Sequence, residues 1–589
     1  MSGVTRNASP HDHQTATAGL ALLAAIAGLS AVLRSAGSIT AVLTGQPQPT
    51  ASITGSLGVL SRPLDVGSAL GTPDLNPVVY WAVVVAFLAV LAVATVVVWR
   101  ALQTVRMTSA LDLRQRPGTA SRADVARAAS ARGLLKRAGT LRPSLTKPEP
   151  SDVGYLLGTA HGRNVWATVE DSILLIGPPR SGKGLHVVIN AILDAPGPVI
   201  TTSTRPDNLT VTLAAHQRQG PVAVFDPQQL APGIPAGLRW SPVRGCDNPL
   251  TAMIRATGLA SSTNYSSVTG GDFWQGKTTA AIQALLHAAA LDGRDAATLY
   301  QWALNPTLAG DAVRILQSNP RAATGWADSL EAMLQADPKT RDSIWHGVSL
   351  AFSALADPRV LDAVTPRIGE VFDPETFLRD NGTLYLLATG AGAGASASLV
   401  AALIEDLVET ARTLAARSPG ARLDPPLLLA LDEIGNLAPL PSLPTLMAEG
   451  GGTGITTLPV LQSLAQAREK WGENQANAIW DAAIVKIVLG GASNSRDLQD
   501  LATLIGERDE TTDSTTIDQH GGRSTQRSLR RISVMPPDVL RTLPFGTGVT
   551  LLRTARPIVT TLRPWTKRND ADQLAEDRDD LERRLRDAT

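Results

Sequence analysis

The run Ile173-Leu174-Leu175-Ile176 passes directly into Gly177-Pro178-Pro179-Arg180-Ser181-Gly182-Lys183-Gly184 and then into the apolar stretch Leu185 to Leu193. An apolar run, a Gly-x-x-x-x-Gly-Lys loop and a second apolar run are the strand, loop and helix of a phosphate-binding loop. Its glycines let backbone N–H groups turn toward an anion, and the helix start adds the positive end of its dipole. Lys183 is then placed to reach the β and γ phosphates of a nucleotide. The last position departs from the pattern. Gly184 stands where Ser or Thr would put a hydroxyl on magnesium, so Mg2+ must lean on water and a distant carboxylate. The bland alternative, an ordinary glycine-rich turn, does not explain the flanking strand and helix.

That carboxylate has a candidate. Leu427-Leu428-Leu429-Ala430-Leu431 reads as a second buried strand and delivers Asp432-Glu433 at its C-terminal end, where ligands gather in open parallel sheets. Asp432 would hold the magnesium shell and Glu433 would polarise an attacking water. A third strand, Ile455 to Leu461, ends at Gln462-Ser463. There an amide could sense the γ-phosphate, and a plain helix cap fits the spacing equally well. Further strands read at Val199 to Thr202, Val222 to Phe225, Thr383 to Leu387, Val485 to Leu489 and Val549 to Leu552. Strands alternating with helical stretches describe a doubly wound α/β sheet. Between about 246 and 367 the pattern lapses into helix-like segments such as Phe273 to Leu291, which predicts an inserted all-α domain.

At 589 residues the chain exceeds one ordinary core, and roughly 150 residues per domain predicts several units. The formal net charge is zero, which names no partner and leaves room for a local basic patch. A single cysteine, Cys246, excludes an intrachain disulfide framework and any multi-thiolate metal site. Two uncharged apolar runs, residues 16–33 and 77–99, are each long enough to cross a ~30 Å hydrocarbon core. Tyr80, Trp81 and Trp99 sit near the ends of the second, as interfacial aromatics do. A cleaved signal peptide is the competing reading of the first, but its leading segment carries only Arg6 and no clean small-x-small site follows. Arg100, Arg106, Arg114 and Arg116 follow the second run, which puts the C-terminal side in the cytoplasm. The resulting organisation is a membrane anchor over 1–100, a Pro- and Arg-containing linker over 101–150, a nucleotide-binding domain over 151–245 and 368–566 interrupted by the helical 246–367, and a charged helical tail over 567–589. Leu574, Leu581 and Leu585 in that tail fit a solvated helix.

The order of these motifs resembles the type IV coupling protein family, the conjugative DNA-transfer ATPases of bacterial type IV secretion systems. The resemblance runs through the two N-terminal spans, the loop 177–184, Val224-Phe225-Asp226-Pro227, Trp240-Ser241-Pro242 and Asp272-Phe273-Trp274. It continues through Leu431-Asp432-Glu433, Val460-Leu461-Gln462-Ser463-Leu464-Ala465-Gln466, Leu543-Pro544 with Gly546-Thr547-Gly548, and Arg556-Pro557-Ile558. Membership implies an α/β, RecA-like P-loop domain with an inserted all-α domain, preceded by two transmembrane helices. It implies a homohexamer on the bacterial cytoplasmic (inner) membrane that spends ATP with Mg2+ to move single-stranded DNA with bound relaxase, or secreted protein cargo, toward the components of a type IV secretion channel. Lys183, Asp432, Glu433 and Gln462 match the Walker A, Walker B and glutamine positions, and Phe273-Trp274 is a weaker match.

One departure stands out. Relatives place an Arg shortly before the Gly-Ile pair, and Gly450-Gly451-Gly452-Thr453-Gly454-Ile455 has none. An arginine finger can be worth orders of magnitude in rate, so Arg496 or Arg180 is the expected substitute. Two other classes of function compete with a transfer motor: a docking receptor with little ATPase activity, and a chromosome-type translocase of duplex DNA. Intact Lys183, Asp432 and Glu433 speak against the first, and the lack of a recognisable winged helix against the second. Arg523, Arg527, Arg530 and Arg531, interleaved with Ser and Thr, could line a strand-binding pore, although a solvated loop explains them more simply.

Overall fold

The computed structural model describes residues 10–106, 113–234, 237–261, 263, 271–367, 369–370, 372–388, 394–517 and 523–587. The chain divides into two compact units, Met1–Ser109 and Ala110–Thr589.

The first unit holds two long helices, Pro10–Thr44 and Pro77–Arg106, each long and apolar enough to cross a membrane. In the second, Val85, Val90, Leu91, Val93 and Val97 are all exposed, a surface suited to lipid and costly in water. The expected apolar run 16–33 lies within the first of these helices, Pro10–Thr44. Arg34 does not end the helix, because its Nε donates to the carbonyl of Ala51 at 2.9 Å and its Nη1 to Ser38 Oγ at 2.8 Å, which satisfies the charge within the unit. Tyr80 ties the two helices together by donating to the Leu33 carbonyl at 3.0 Å.

The second unit is built on an 11-stranded sheet in the order β2-β1-β13-β12-β9-β3-β8-β7-β4-β6-β5. Its strands are β1 (Gly154–Ala160), β2 (Arg163–Thr168), β3 (Ile173–Ile176), β4 (Val199–Ser203), β5 (Val222–Phe225) and β6 (Thr383–Leu387). They continue with β7 (Leu427–Leu431), β8 (Ile455–Leu461), β9 (Val485–Leu489), β12 (Thr547–Leu552) and β13 (Ile558–Thr561). The run from β9 to β5 is parallel, and β12, β13, β1 and β2 extend it antiparallel. The parallel strands are mostly apolar because both faces are covered, with buried threonines such as Thr201, Thr202, Thr456 and Thr457 among them. On β7, Leu427, Leu429 and Leu431 pack into the core shared with the helical segment, whereas Leu428 and Ala430 pack into the core on the opposite face. This is the RecA-like sheet expected from the motif order.

Among the described residues, seven α-helices from Pro249–Ala260 to Pro358–Ala363, with a short 3-10 helix at Ser353–Ala356, lie between β5 and β6 and form the all-α insert. A buried charge cluster anchors it. Arg255 Nη2 lies 2.7 Å from Asp406 Oδ1, Asp406 Oδ2 accepts from Trp240 Nε1 at 3.1 Å, and the guanidinium sits 4.7 Å from the Trp240 ring centroid. Asp406 belongs to the helix Gly394–Ala416, so the cluster joins the insert to the helix that follows β6.

Two stretches differ from expectation. The supposed linker is packed: Ala120, Val125, Ala129, Leu134 and Leu141 are buried in the same core as β1 and β3, and Arg142 pairs with Asp424 at 2.9 Å. The arginine cluster lies on a strand rather than in a loop. β10 (Glu507–Ile517) and β11 (Arg523–Ser533) form a two-stranded ribbon whose register sets Asp509 opposite Arg531 and Glu510 opposite Arg530. Opposite charges across a threonine-rich ladder stabilise that pairing.

Arg255→Met removes the buried ion-pair partner of Asp406 and leaves it only the more exposed Arg244 at 3.6 Å; breaking a buried pair in this way costs up to about 3–5 kcal/mol. The expected result is a marked drop in the thermal unfolding midpoint of the variant; an unchanged midpoint contradicts the anchoring role.

Candidate functional site

β3, β8, β7 and β4 lie side by side and parallel, so their C-terminal ends open along one edge of the sheet. β3 runs into the loop Gly177–Gly184, β8 into Gln462, β7 into Asp432-Glu433, and β4 into Ser203-Thr204-Arg205. Sequence-distant residues therefore meet at one mouth. Its cleft encloses about 440 Å³, with Arg180 to Gly184 on one wall and Thr204, Arg205, Asn208, Asp432 and Glu433 on another.

The loop is tightly folded. Lys183 is buried, and its Nζ donates to the carbonyls of Gly177 at 2.9 Å and Pro178 at 3.0 Å. Ser181 Oγ also donates to the Pro178 carbonyl, at 2.8 Å. Gly182 has φ +86°, and a Cβ there would come within 2.6 Å of His186 Nδ1 and 2.9 Å of the Phe545 ring, so only glycine fits. Arg180, exposed and at φ +62°, is held in the left-handed region. Past the loop the chain makes a π-helical turn, Gly184–Val188, before the helix Ile189–Leu193.

The carboxylates are held by the neighbouring strand. Asp432 Oδ2 accepts from Asn208 Nδ2 at 3.4 Å, while its Oδ1 is buried without a hydrogen-bond partner. Glu433 sits at φ +51°, and its Oε2 accepts from Thr204 Oγ1 at 2.9 Å. A strained carboxylate beside an unpartnered one is the kind of feature that concentrates at functional sites. Burial pushes the Asp432 carboxyl up to about 6, with the Glu433 charge adding to the rise and Lys183 opposing it. Burial lowers the Lys183 ammonium, and Asp432 and Glu433 pull it back up.

These donors suit a hard divalent cation. Asp432 Oδ1 is an oxygen without a partner, and Asn208 adds an amide oxygen. That oxygen, Asn208 Oδ1, lies 3.7 Å from where a Cβ on residue 184 would stand, beside the position of the missing hydroxyl. Asn208, Thr204 and Arg205 escaped the sequence reading. The signal that finds them is the strand end at β4, since every neighbouring strand end contributes to the cleft.

Lys183, Asp432, Glu433 and the loop from Arg180 to Gly184 are brought together. Pro178 and Pro179 lie on the opposite side of the loop with Gly490, Arg541 and Phe545. Gln462 follows the strand between β3 and β7 but is not on the cleft wall; its N–H donates to Gln466 Oε1 at 2.9 Å. Ser463 caps the next helix by accepting from the Gln466 N–H at 3.1 Å. Arg496 pairs with Glu473 at 3.0 Å and does not line the cleft, whereas Arg180 and Arg205 do.

Residues 426–545 match the family model described as the TraM recognition site of TraD and TraG, a segment that contains Asp432, Glu433 and Gln462. The fold matches solved structures of the plasmid conjugative coupling protein TrwB. The trigonal form with sulphate aligns at a TM-score of 0.53 and 16% identity, over 74% of this chain and 92% of that one. The complex with ADP and Mg2+ aligns at 0.51 and 18% identity, over 72% and 91%. The complex with the ATP analogue ADPNP aligns at 0.52 and 16% identity, over 72% and 92%. Residues 426–545 therefore resemble a coupling-protein segment, and the fold is that of the TrwB coupling protein. No curated protein matches this chain.

Ionised Asp432 is penalised in the folded state. A carboxyl raised from 3.8 to about 6 makes stability fall as pH rises between those values, with the full penalty present above about 6. Asp432→Asn should therefore raise the thermal midpoint in metal-free buffer at pH 8, and the gain should shrink as pH falls through 6 toward 4. A variant less stable than the parent at pH 8 contradicts this electrostatic description.

Proposed function

We propose that the chain is a membrane-anchored ATPase that couples a DNA or nucleoprotein substrate to a type IV secretion or conjugation channel and drives its transfer by ATP hydrolysis. The observation that carries this reading is the meeting of Lys183, Asp432 and Glu433 in one cleft at the ends of parallel strands, with Asp432 Oδ1 left unpartnered.

In this reading the loop Gly177–Gly184 cradles the phosphates through its backbone N–H groups, and Lys183 leaves its own loop carbonyls for the β and γ phosphates. Asp432, with Asn208 beside it, would hold Mg2+, which when bound offsets the charge on the transferring phosphoryl group. Glu433 orients and polarises the attacking water, its carboxylate fixed by Thr204. Gln462, on the strand between loop and carboxylates, senses the γ-phosphate once nucleotide rearranges the mouth. Arg180 or Arg205 takes the part of the missing finger, because Arg496 is already engaged by Glu473.

The two long apolar helices support a multi-pass anchor in the bacterial cytoplasmic membrane, with the sheet unit on the cytoplasmic side. We assign 1–100 to the anchor, 151–245 with 368–566 to the motor domain, and 246–367 to the substrate-receiving helical domain. The cargo is single-stranded DNA with bound relaxase, or secreted protein, and the working form is a homohexamer. The match to a segment named for TraM recognition supports a relaxosome-side partner, and the alignment with TrwB bound to the ATP analogue ADPNP and to ADP with Mg2+ supports the nucleotide and metal.

The test is ATP hydrolysis by the full chain in detergent or nanodiscs, with and without single-stranded DNA. Glu433→Gln should lower turnover by roughly 10²–10⁴-fold, the usual worth of a positioned base, and Lys183→Ala should abolish nucleotide binding. Turnover that ignores both substitutions rules out this motor, and tight nucleotide binding without turnover in the parent chain points to a docking receptor instead.

A further inference from the structure

The cleft has a wall that the phosphate-loop motif does not predict. Besides the loop and the strand ends it is lined by Trp565, Arg578 and Glu582, from the last segment of the chain. The C-terminal helix Ala571–Asp587 is not a free tail. Leu574 and Trp565 are buried against Ile189 and Val211, and Leu581 against Leu209 and Leu213. Arg568 pairs with Asp194 at 2.6 Å and Arg218 with Asp577 at 3.0 Å, so both flanks of the segment are pinned to the helices that frame the cleft.

The chemistry of this wall differs from that of the loop. The loop side offers Arg180, Lys183 and a helix start. On the helix side, the Arg578 guanidinium is flanked by Asp579 at 2.7 Å and Glu582 at 3.8 Å, so its charge is offset and a polyphosphate gains little there. The same guanidinium lies over the Trp565 ring, 5.6 Å from its centroid, and Arg578 also lines the cleft. The lining beside it is Leu185, Ile189, Thr210 and Val211, with Asp207 at the start of the helix that carries the last two. A planar cation over an aromatic ring, a carboxylate able to accept from a hydroxyl, and an aliphatic floor suit a base and its ribose rather than a phosphate.

We infer that the C-terminal helix forms the nucleoside wall of the nucleotide site, with Arg578 stacking on the base and Glu582 accepting from a ribose hydroxyl. The inference rests on the nucleotide-binding reading above and adds the residues that grip the nucleoside. It also makes the end of the chain a reporter of nucleotide occupancy, since base and helix share a contact.

The test compares two probes on the full chain, ATP and inorganic tripolyphosphate, which carries the phosphates without a nucleoside. Arg578→Ala should weaken ATP by roughly tenfold, the worth of one desolvated stacking contact, and leave tripolyphosphate binding unchanged. Arg578→Lys, which keeps the charge and loses the plane, should weaken ATP nearly as much. Lys183→Ala should weaken both probes. Equal loss of both probes in Arg578→Ala, or no loss of either, overturns the inference while leaving the phosphate site standing. Failure of the unsubstituted chain to bind either probe overturns the nucleotide reading and this inference together.

Discussion

Three charged side chains, Lys183, Asp432 and Glu433, are crowded into the mouth of a sheet whose strands are mostly apolar on both faces, and the rest of the unit is arranged around that constraint. Burial alone opposes the ionised form of each buried group. The fold tolerates them because Lys183 opposes the charge of the two carboxylates and because neighbouring elements supply partners. Lys183 is satisfied by its own loop, Glu433 by Thr204, and one oxygen of Asp432 by Asn208. The other oxygen of Asp432 has none. That unmet bond, the left-handed backbone at Glu433 and Arg180, and the raised Asp432 carboxyl form one local store of instability, which binding of a cation and an anionic ligand would relieve.

The parallel sheet was legible from sequence because strands buried on both faces leave continuous apolar runs. Leu427–Leu431 and Ile455–Leu461 appear where the runs place them, and the ends of such runs lead to the site. Elements that are half buried or paired by polar contacts were harder to see. β1 and β2 are joined by a turn at His161-Gly162, with φ +49° and +71°, a two-residue hairpin whose flanks alternate too weakly to stand out. The β10–β11 ribbon owes its pairing to cross-strand charges that no single-strand pattern carries. Residues 113–150 resemble a linker in composition, yet their alanines and leucines at helical spacing fill the core beneath β1.

The functional residues divide the same way. Lys183, Asp432 and Glu433 lie in motifs whose chemistry dictates their spacing. Asn208 and Thr204 have no local signature, and their place is set by β4 lying next to β7. The terminal helix is the extreme case. Its charge pattern suits solvent, and three leucines decide otherwise by packing Trp565 and Arg578 onto the cleft. Trp565 and Arg578 line the same cleft as the loop at 177–184, some four hundred residues earlier in order but adjacent in space.

The most direct measurement is an experimental structure of the full chain with Mg2+ and a non-hydrolysable ATP analogue. The account predicts triphosphate on the loop Gly177–Gly184 with Lys183 Nζ turned from its own carbonyls to the phosphates, Asp432 Oδ1 within the coordination shell of the ion, and the nucleoside against the C-terminal helix. Nucleotide bound elsewhere on the sheet unit, or Asp432 remaining paired only with Asn208 while nucleotide is present, contradicts it.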